Sequence, residues 1–250
     1  MHNQEDSYLL NKELIPSVET DVFKHHSDSR YWIGAVAVPG NVIMPDEFTA
    51  QRRLRANVYI NECEFLPEGA REEDGGESDK SDPHATQYVV FENQETIRVV
   101  GALRMIEKGY DLLPAEELFA DEIDGEFPSN SLEASRFIAR HQQRTAQTMI
   151  SVGLVRVAIL QALTEEKDIY AVVEEPLARR FSQLGLVYDV VCPGKVLAEY
   201  NNTNNQLLRF QPERILDTVK EDDLITAYLA VAHYDLGLGY YDTTLRSTTY

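Results

Sequence analysis

Three stretches of this 250-residue sequence carry side chains whose types and spacing can do chemistry. The first is Glu77-Ser78-Asp79-Lys80-Ser81-Asp82, with three carboxylates in one short run. Runs of acids usually face water, so a solvated charge block is one reading and a cluster of site acids the other. The run lacks the alternating oxygen ligands and closing bidentate Glu of a calcium loop, and no metal is expected there. The second stretch is Leu132-Glu133-Ala134-Ser135-Arg136-Phe137. As a strand it puts Glu133, Ser135 and Phe137 on one face and Leu132, Ala134 and Arg136 on the other. A carboxylate inside an apolar sheet, with Arg104 or Arg136 in reach, is suited to take a proton or orient an amine. A structural Arg–Glu pair accounts for it equally well. The third runs from Ala134 to Thr164, which holds Arg136, Arg140, Arg144 and Arg156 and no acid, inside a chain of net charge −19. Guanidinium groups at the start of a helix favour a docked anion such as phosphate; pairing with the protein's own acids is the alternative.

The elements that must position these residues follow from local pattern. Residues 1–30 are polar, and Tyr31–Val38 is a strand-like run ending at Pro39-Gly40, so 1–45 reads as an N-terminal extension. Asp46 is placed to cap a helix whose apolar positions Phe48, Leu54, Val58 and Tyr59 recur near every 3.6 residues up to Pro67. Residues 68–83 are charge, Gly and Ser, a loop. Residues 87–91 and 97–106 predict an antiparallel hairpin, 112–119 a helix, 121–131 a loop and 132–139 a short strand. Residues 145–164 are apolar on most sides, a buried helix. A strand at 169–173 precedes a helix over 176–184 that Gly185 stops. Strands are expected at 187–191, 196–200 and 207–210, with turns at Cys192-Pro193-Gly194 and at the Asn201–Asn205 cluster. The result is mixed α/β on one sheet, with a core unit over 46–211 and a tail over 212–250 that carries an amphipathic helix at 222–233.

Composition narrows the function. With 43% hydrophobic residues the chain is globular rather than disordered, and 42 acidic against 23 basic side chains leave no broad cationic surface for nucleic acid or anionic membranes. Cys63 and Cys192 make neither a disulfide framework nor a zinc site. The longest apolar run, 150–163, is interrupted by Arg156, so no membrane span is expected and the setting is expected to be cytoplasmic. His25-His26 reads as a surface pair and His84 as a loop cap beside the acids.

The set Arg55-Ala56-Asn57-Val58-Tyr59, Phe65, Glu77-x-Asp79-x-x-Asp82, Gly101-Ala102-Leu103-Arg104, Phe119 and Glu133-Ala134-Ser135-Arg136-Phe137 resembles the acyl-homoserine-lactone (autoinducer) synthases. It also resembles their relatives, the long-chain N-acyl amino acid synthases and the acyltransferases of exopolysaccharide and protein-sorting systems. The resemblance spans residues 52–210. It implies the GNAT fold, a central, mostly antiparallel mixed sheet flanked by helices, and an N-acyltransferase that moves an acyl chain from a thioester to an amine. It implies Glu133, Glu77, Arg136 and Ser135 as the catalytic set, with Glu133 directly, or Glu77 through water, taking the amine proton. Arg55, Asp79, Asp82 and Arg104 would complete a charged network, with Tyr59, Phe65 and Phe119 at the substrate pocket. Tyr59 and Phe65 stand where the lactone synthases usually show Phe and Trp, and the 68–76 insertion with Pro83-His84 looks more like the amino acid synthases. Arg140-His141-Gln142-Gln143-Arg144-Thr145-Ala146 lacks the glycines of the usual pyrophosphate loop. The resemblance therefore favours a donor on acyl carrier protein, with acyl-CoA the alternative and Arg140 and Arg144 as donor-binding residues. Met105, Phe137, Met149 and Val152 are candidates for an acyl tunnel, with core the favoured reading for each. No permanent cofactor is implied. A catalytically inactive binding module of the same fold is the competing reading.

Overall fold

The computed structural model describes residues 31–92, 98–109, 111–217 and 238–240. Among the described residues nine strands form one sheet: β1 (Tyr31–Val38), β2 (Asn41–Val42), β3 (Ala85–Glu92), β4 (Arg98–Glu107), β5 (Ser131–Ala139), β6 (Asp168–Glu174), β7 (Asp189–Leu197), β8 (Thr203–Phe210) and β9 (Leu238–Tyr240). The order is β2-β1-β3-β4-β5-β6-β8-β7, with β9 parallel to β1. All neighbours along that path are antiparallel except β5 and β6. Five helices accompany the described strands: α1 (Pro45–Ala56), α2 (Pro114–Leu118), α3 (Arg144–Glu165), α4 (Glu175–Gln183) and α5 (Pro212–Asp217).

One sheet face carries α3. Ile150 and Leu154 of that helix are fully buried against Leu103, Met105 and Leu132, each apolar side chain contributing about 1.5–3 kcal/mol. By length and composition α3 is also apolar enough to cross a membrane, but most of it is buried on this sheet as a core helix. Gly101 lets it approach, since a Cβ there would meet Ile150 Cγ2 at 2.7 Å. The opposite face takes α1, α2 and the acidic loop. With both faces covered, the central strands read as apolar runs.

Several expectations change in detail. Pro45 at the first helical position starts α1 behind Met44, so Asp46 lies inside the first turn and is not the cap. After Ala56 the helix widens into a π-turn over Asn57–Glu62 that buries Val58 and Ile60. Cys192-Pro193-Gly194 does not reverse the chain: β7 runs through it with two register shifts against β8. Strand structure ends at Leu197, and residues 198–200 form a 3-10 turn. Asn201 and Asn202 do turn the β7–β8 hairpin, at φ of 51° and 58°. Strand β1 pairs with β3 from Tyr31 to Ala37, so residues 31–38 on the N-terminal side of the expected 45/46 boundary lie within the sheet. His25-His26 and the helix expected over 222–233 fall outside the described residues.

Candidate active site

Two irregularities in β5 create the site. Its pairing with β6 covers only Ser131–Glu133 against residues 168–170, although both strands continue. The strands therefore part just after Glu133. On the other edge, Ala102 faces Ile138 while Arg104 faces Ser135, so Arg136 and Phe137 together oppose Leu103. This is a β-bulge, and Arg136 takes φ 53°, a conformation costing a non-glycine residue roughly 1–2 kcal/mol. The bulge overturns the strict alternation expected from sequence. Phe137 turns into the core beneath α3, edge-on to Phe181, and Arg136 joins Glu133 and Ser135 on the opposite face. Met105 and Val152, fully buried in the same cluster, are core rather than tunnel.

There the expected charges close into a ring of alternating sign. Arg55 Nε donates to Glu77 Oε2 at 2.5 Å, and Glu77 Oε1 accepts from Arg136 Nη2 at 2.9 Å. Arg136 Nη2 reaches Asp79 Oδ2 at 3.1 Å, and Asp79 Oδ1 accepts from Arg104 Nη1 at 2.6 Å. Asp82 Oδ1 completes the ring, accepting from Arg104 at 2.8 Å and Arg55 at 3.0 Å. Three guanidiniums balance three carboxylates. Such a ring gains little net stability over apolar packing, because desolvation offsets attraction; it fixes geometry, here the bulged Arg136. Burial opposes ionisation of Asp82, but Arg55 and Arg104 win and hold its carboxyl down to about 2. Asp79 is lowered against burial by Arg104 and Arg136. The solvated-block reading of the acidic run is thus overturned for Glu77 and Asp82, whose side chains are 1% and 7% exposed.

The ring gives its members separate jobs. Both oxygens of Glu77 are taken by arginines, Oε2 by Arg55 and Arg136 and Oε1 by Arg136. Ser135 Oγ accepts from Arg104 Nε at 2.9 Å and orients that guanidinium. Gln87 bridges the ring, donating to Asp82 and accepting from Arg55 and from Gln51. Sequence reasoning missed both glutamines; the signal available was a buried-strand position in β3 occupied by an amide. His84 is exposed at the end of its 3-10 turn, where its backbone N–H donates to Ser81 O, and it lies outside the ring.

Glu133 is different. It is 3% exposed, and its Oε2 accepts one hydrogen bond, from the Ala115 N–H of α2 at 2.8 Å. Burial pushes its carboxyl up to about 7, against the lowering effects of the Ala115 N–H, Arg104 and Arg136. A group poised near neutrality is what proton abstraction requires.

Pro114 and Arg136 line a cavity of about 570 Å³ that Glu133 itself does not line. Tyr59, Phe65 and Tyr200 form an aromatic wall, with ring centroids 6.3 and 5.5 Å apart. Pro114 and Leu118 of α2 form a second wall, Lys195–Ala198 a third, and Arg136 also lines the space. Glu133 sits one residue behind that α2 wall, since Ala115 follows Pro114. Tyr59 OH donates to Phe137 O at 3.3 Å, and burial raises its phenol to about 12. Phe119, expected at the pocket, is fully buried in the core under Lys195. Arg140 and Arg144 are exposed at the approach to α3, Arg140 paired with Glu62.

Residues 54–172 match the Acetyltransf_5 family model, an acetyltransferase (GNAT) domain. The chain has the GNAT fold. Solved structures of similar fold include acyl-homoserine lactone synthases and an N-acyl amino acid synthase. BjaI, a CoA-dependent acyl-homoserine lactone synthase with SAM and isopentyl-CoA bound, aligns at 18% identity and TM-score 0.63 over 87% of this chain and 98% of its own. The acyl-homoserine lactone synthase LasI aligns at 16% and 0.61, over 81% and 97%. FeeM, an N-acyl amino acid synthase from uncultured soil microbes, aligns at 15% and 0.55, over 78% and 97%. No curated protein matches the chain.

Proposed function

We propose that the chain transfers an acyl group from a thioester to the primary amine of an amino acid or related small molecule, with Glu133 as general base. The observation that carries this reading is Glu133 itself, a buried carboxyl near 7 with one oxygen held by Ala115 and the other without a hydrogen bond among the described residues. In the reaction Glu133 takes a proton from the neutral amine as it attacks. The nitrogen bonds to the thioester carbonyl carbon, the C–S bond breaks, and the departing sulfur leaves as a thiol with that proton. Backbone N–H groups where β5 parts from β6 are suited to hold the oxyanion, an effect on the order of 3–4 kcal/mol when one donor is lost. The ring holds Arg136 at the cavity, where aromatic walls suit an apolar acyl chain or acceptor body.

The donor arm reaches this splay from the start of α3, past Arg140 and Arg144. An acyl carrier protein is favoured over CoA because the 140–146 segment has no glycine to admit a pyrophosphate; the CoA-dependent neighbour makes acyl-CoA the second donor to assay. Mass spectrometry of organic extracts from cells overproducing the wild-type protein or its Glu133→Gln variant tests the reading. A new amide present only with the wild type supports it; identical extracts from both, with the variant folded, remove Glu133 as the base.

A further inference from the structure

Glu116 is an acid at 1% exposure that belongs to neither the ring nor the cavity. Its carboxylate accepts four hydrogen bonds from three partners. Oε2 accepts the Leu113 N–H at 2.7 Å, Oε1 accepts the Phe127 N–H at 2.6 Å, and Lys108 Nζ donates to both oxygens at 2.8 and 2.9 Å. Lys108, itself buried, also reaches Glu126 at 3.3 Å. One carboxylate thus gathers the end of β4, the start of α2 and the chain returning to β5. Glu116 is the third residue of α2 and reaches back to the residue before the helix, as the glutamate of a capping box does. Leu113 has no side-chain oxygen to reciprocate, so the entry of α2 rests on Glu116.

Between these two residues lie Pro114, a wall of the cavity, and Ala115, whose N–H is the hydrogen-bond donor on Glu133. A five-residue helix has little stability of its own, and its direction is set by what pins it. We infer that Glu116 is a positioning residue for acyl transfer, holding α2 so that the Ala115 N–H is aimed at Glu133 and Pro114 at the cavity. The inference rests on Glu133 being the base and adds what sets that base's affinity for its proton. The other charges felt at Glu133 come from different elements: Arg104 on β4, Arg136 on β5 and Asp79 in the acidic loop. None of them contacts Glu116.

Carbon-13 labelling of glutamate carboxyls in the full chain reads Glu133 directly, its resonance assigned by its loss in Glu133→Gln. Glu116→Gln removes the charge and one acceptor oxygen, so the Ala115 N–H drifts and the Glu133 midpoint rises by about one unit, as expected when a hydrogen bond to a charged group is lost. Glu116→Asp, one methylene short, moves it in the same direction. Leu154→Ala, under the opposite face of the sheet, lowers the melting temperature and leaves the midpoint in place. An unmoved midpoint in either folded Glu116 variant, or an equal rise in Leu154→Ala, overturns the inference. Should neither Glu116 variant fold, amide hydrogen exchange in the wild-type protein decides: Leu113, Ala115 and Phe127 open as one unit if one carboxylate pins them. Independent exchange of Ala115 overturns it. Neither measurement uses substrate, so failure here is distinct from failure of the base assignment, which is read in turnover.

Discussion

At the scale of single residues, environment decides which of several carboxylates can work as a base. Glu77 and Asp82 are locked by guanidiniums, whereas Glu133 is raised to about 7 by burial. Replacing Glu133 by Gln should therefore lower turnover by on the order of 10²-fold or more in a folded protein, measured with thioester and amine saturating. The same raised value has a stability consequence of definite sign. A buried carboxyl binding its proton more tightly when folded costs nothing below its ordinary value near 4.5 and its full penalty, roughly 3 kcal/mol, above 7. The wild type should thus lose stability relative to Glu133→Gln as pH rises from 5 to 8, read as diverging urea midpoints; parallel midpoints would show Glu133 to be unperturbed. Asp82 works in the opposite sense: its contribution is complete above 3.8 and is lost as pH falls through about 2. Asp82→Ala, which deprives two buried arginines of a partner, should cost about 3–5 kcal/mol. Asp79→Ala should cost clearly less, because the Asp79 side chain is 30% exposed; equal losses in melting temperature would contradict the ring as described.

At the scale of elements, the site depends on a sheet that departs from regularity where β5 bulges and leaves β6. The helix α3 is seated by Gly101, and Gly101→Ala should destabilise by about 1–3 kcal/mol, since the added methyl must displace Ile150. A calorimetric melting temperature unchanged in that variant would mean the helix has slack. These elements also show what sequence patterns can and cannot carry. The main strands and helices were legible from periodicity, whereas the six members of the ring were named by the family resemblance, which also counted Glu133 in the network. The bulge was not legible, because period-two alternation assigns faces only while pairing stays one to one, and a single αL residue shifts every later side chain. The π-turn after Ala56 and the passage of β7 through Pro193-Gly194 were hidden for a related reason: tertiary packing overrode local turn chemistry. Glu116 gave no signal at all, being one acid in the Glu116-Glu117 pair of a short helix, where solvent exposure is the ordinary expectation.

At the scale of the whole molecule, a chain of net charge −19 presents two exposed arginines, Arg140 and Arg144, at the approach to α3. An acidic carrier protein docking there must use that local positive surface, so reversing both to Glu should weaken carrier binding. Wild-type affinity should also fall as salt rises through about 0.1–0.3 M, where screening lengths drop below roughly 10 Å. Calorimetric titration with acylated carrier checks this, and undiminished affinity in the double variant would return both residues to a structural role. Acyl transfer to nitrogen is tested most directly by incubating the purified full chain with acyl-CoA or acylated carrier protein, in the presence and absence of an amino acid mixture. Released thiol and amide product are counted together. Thiol release that requires the amine and is matched by an equal amount of N-acyl product is the predicted result. Thiol release indifferent to the amine, or none with either donor, would contradict it.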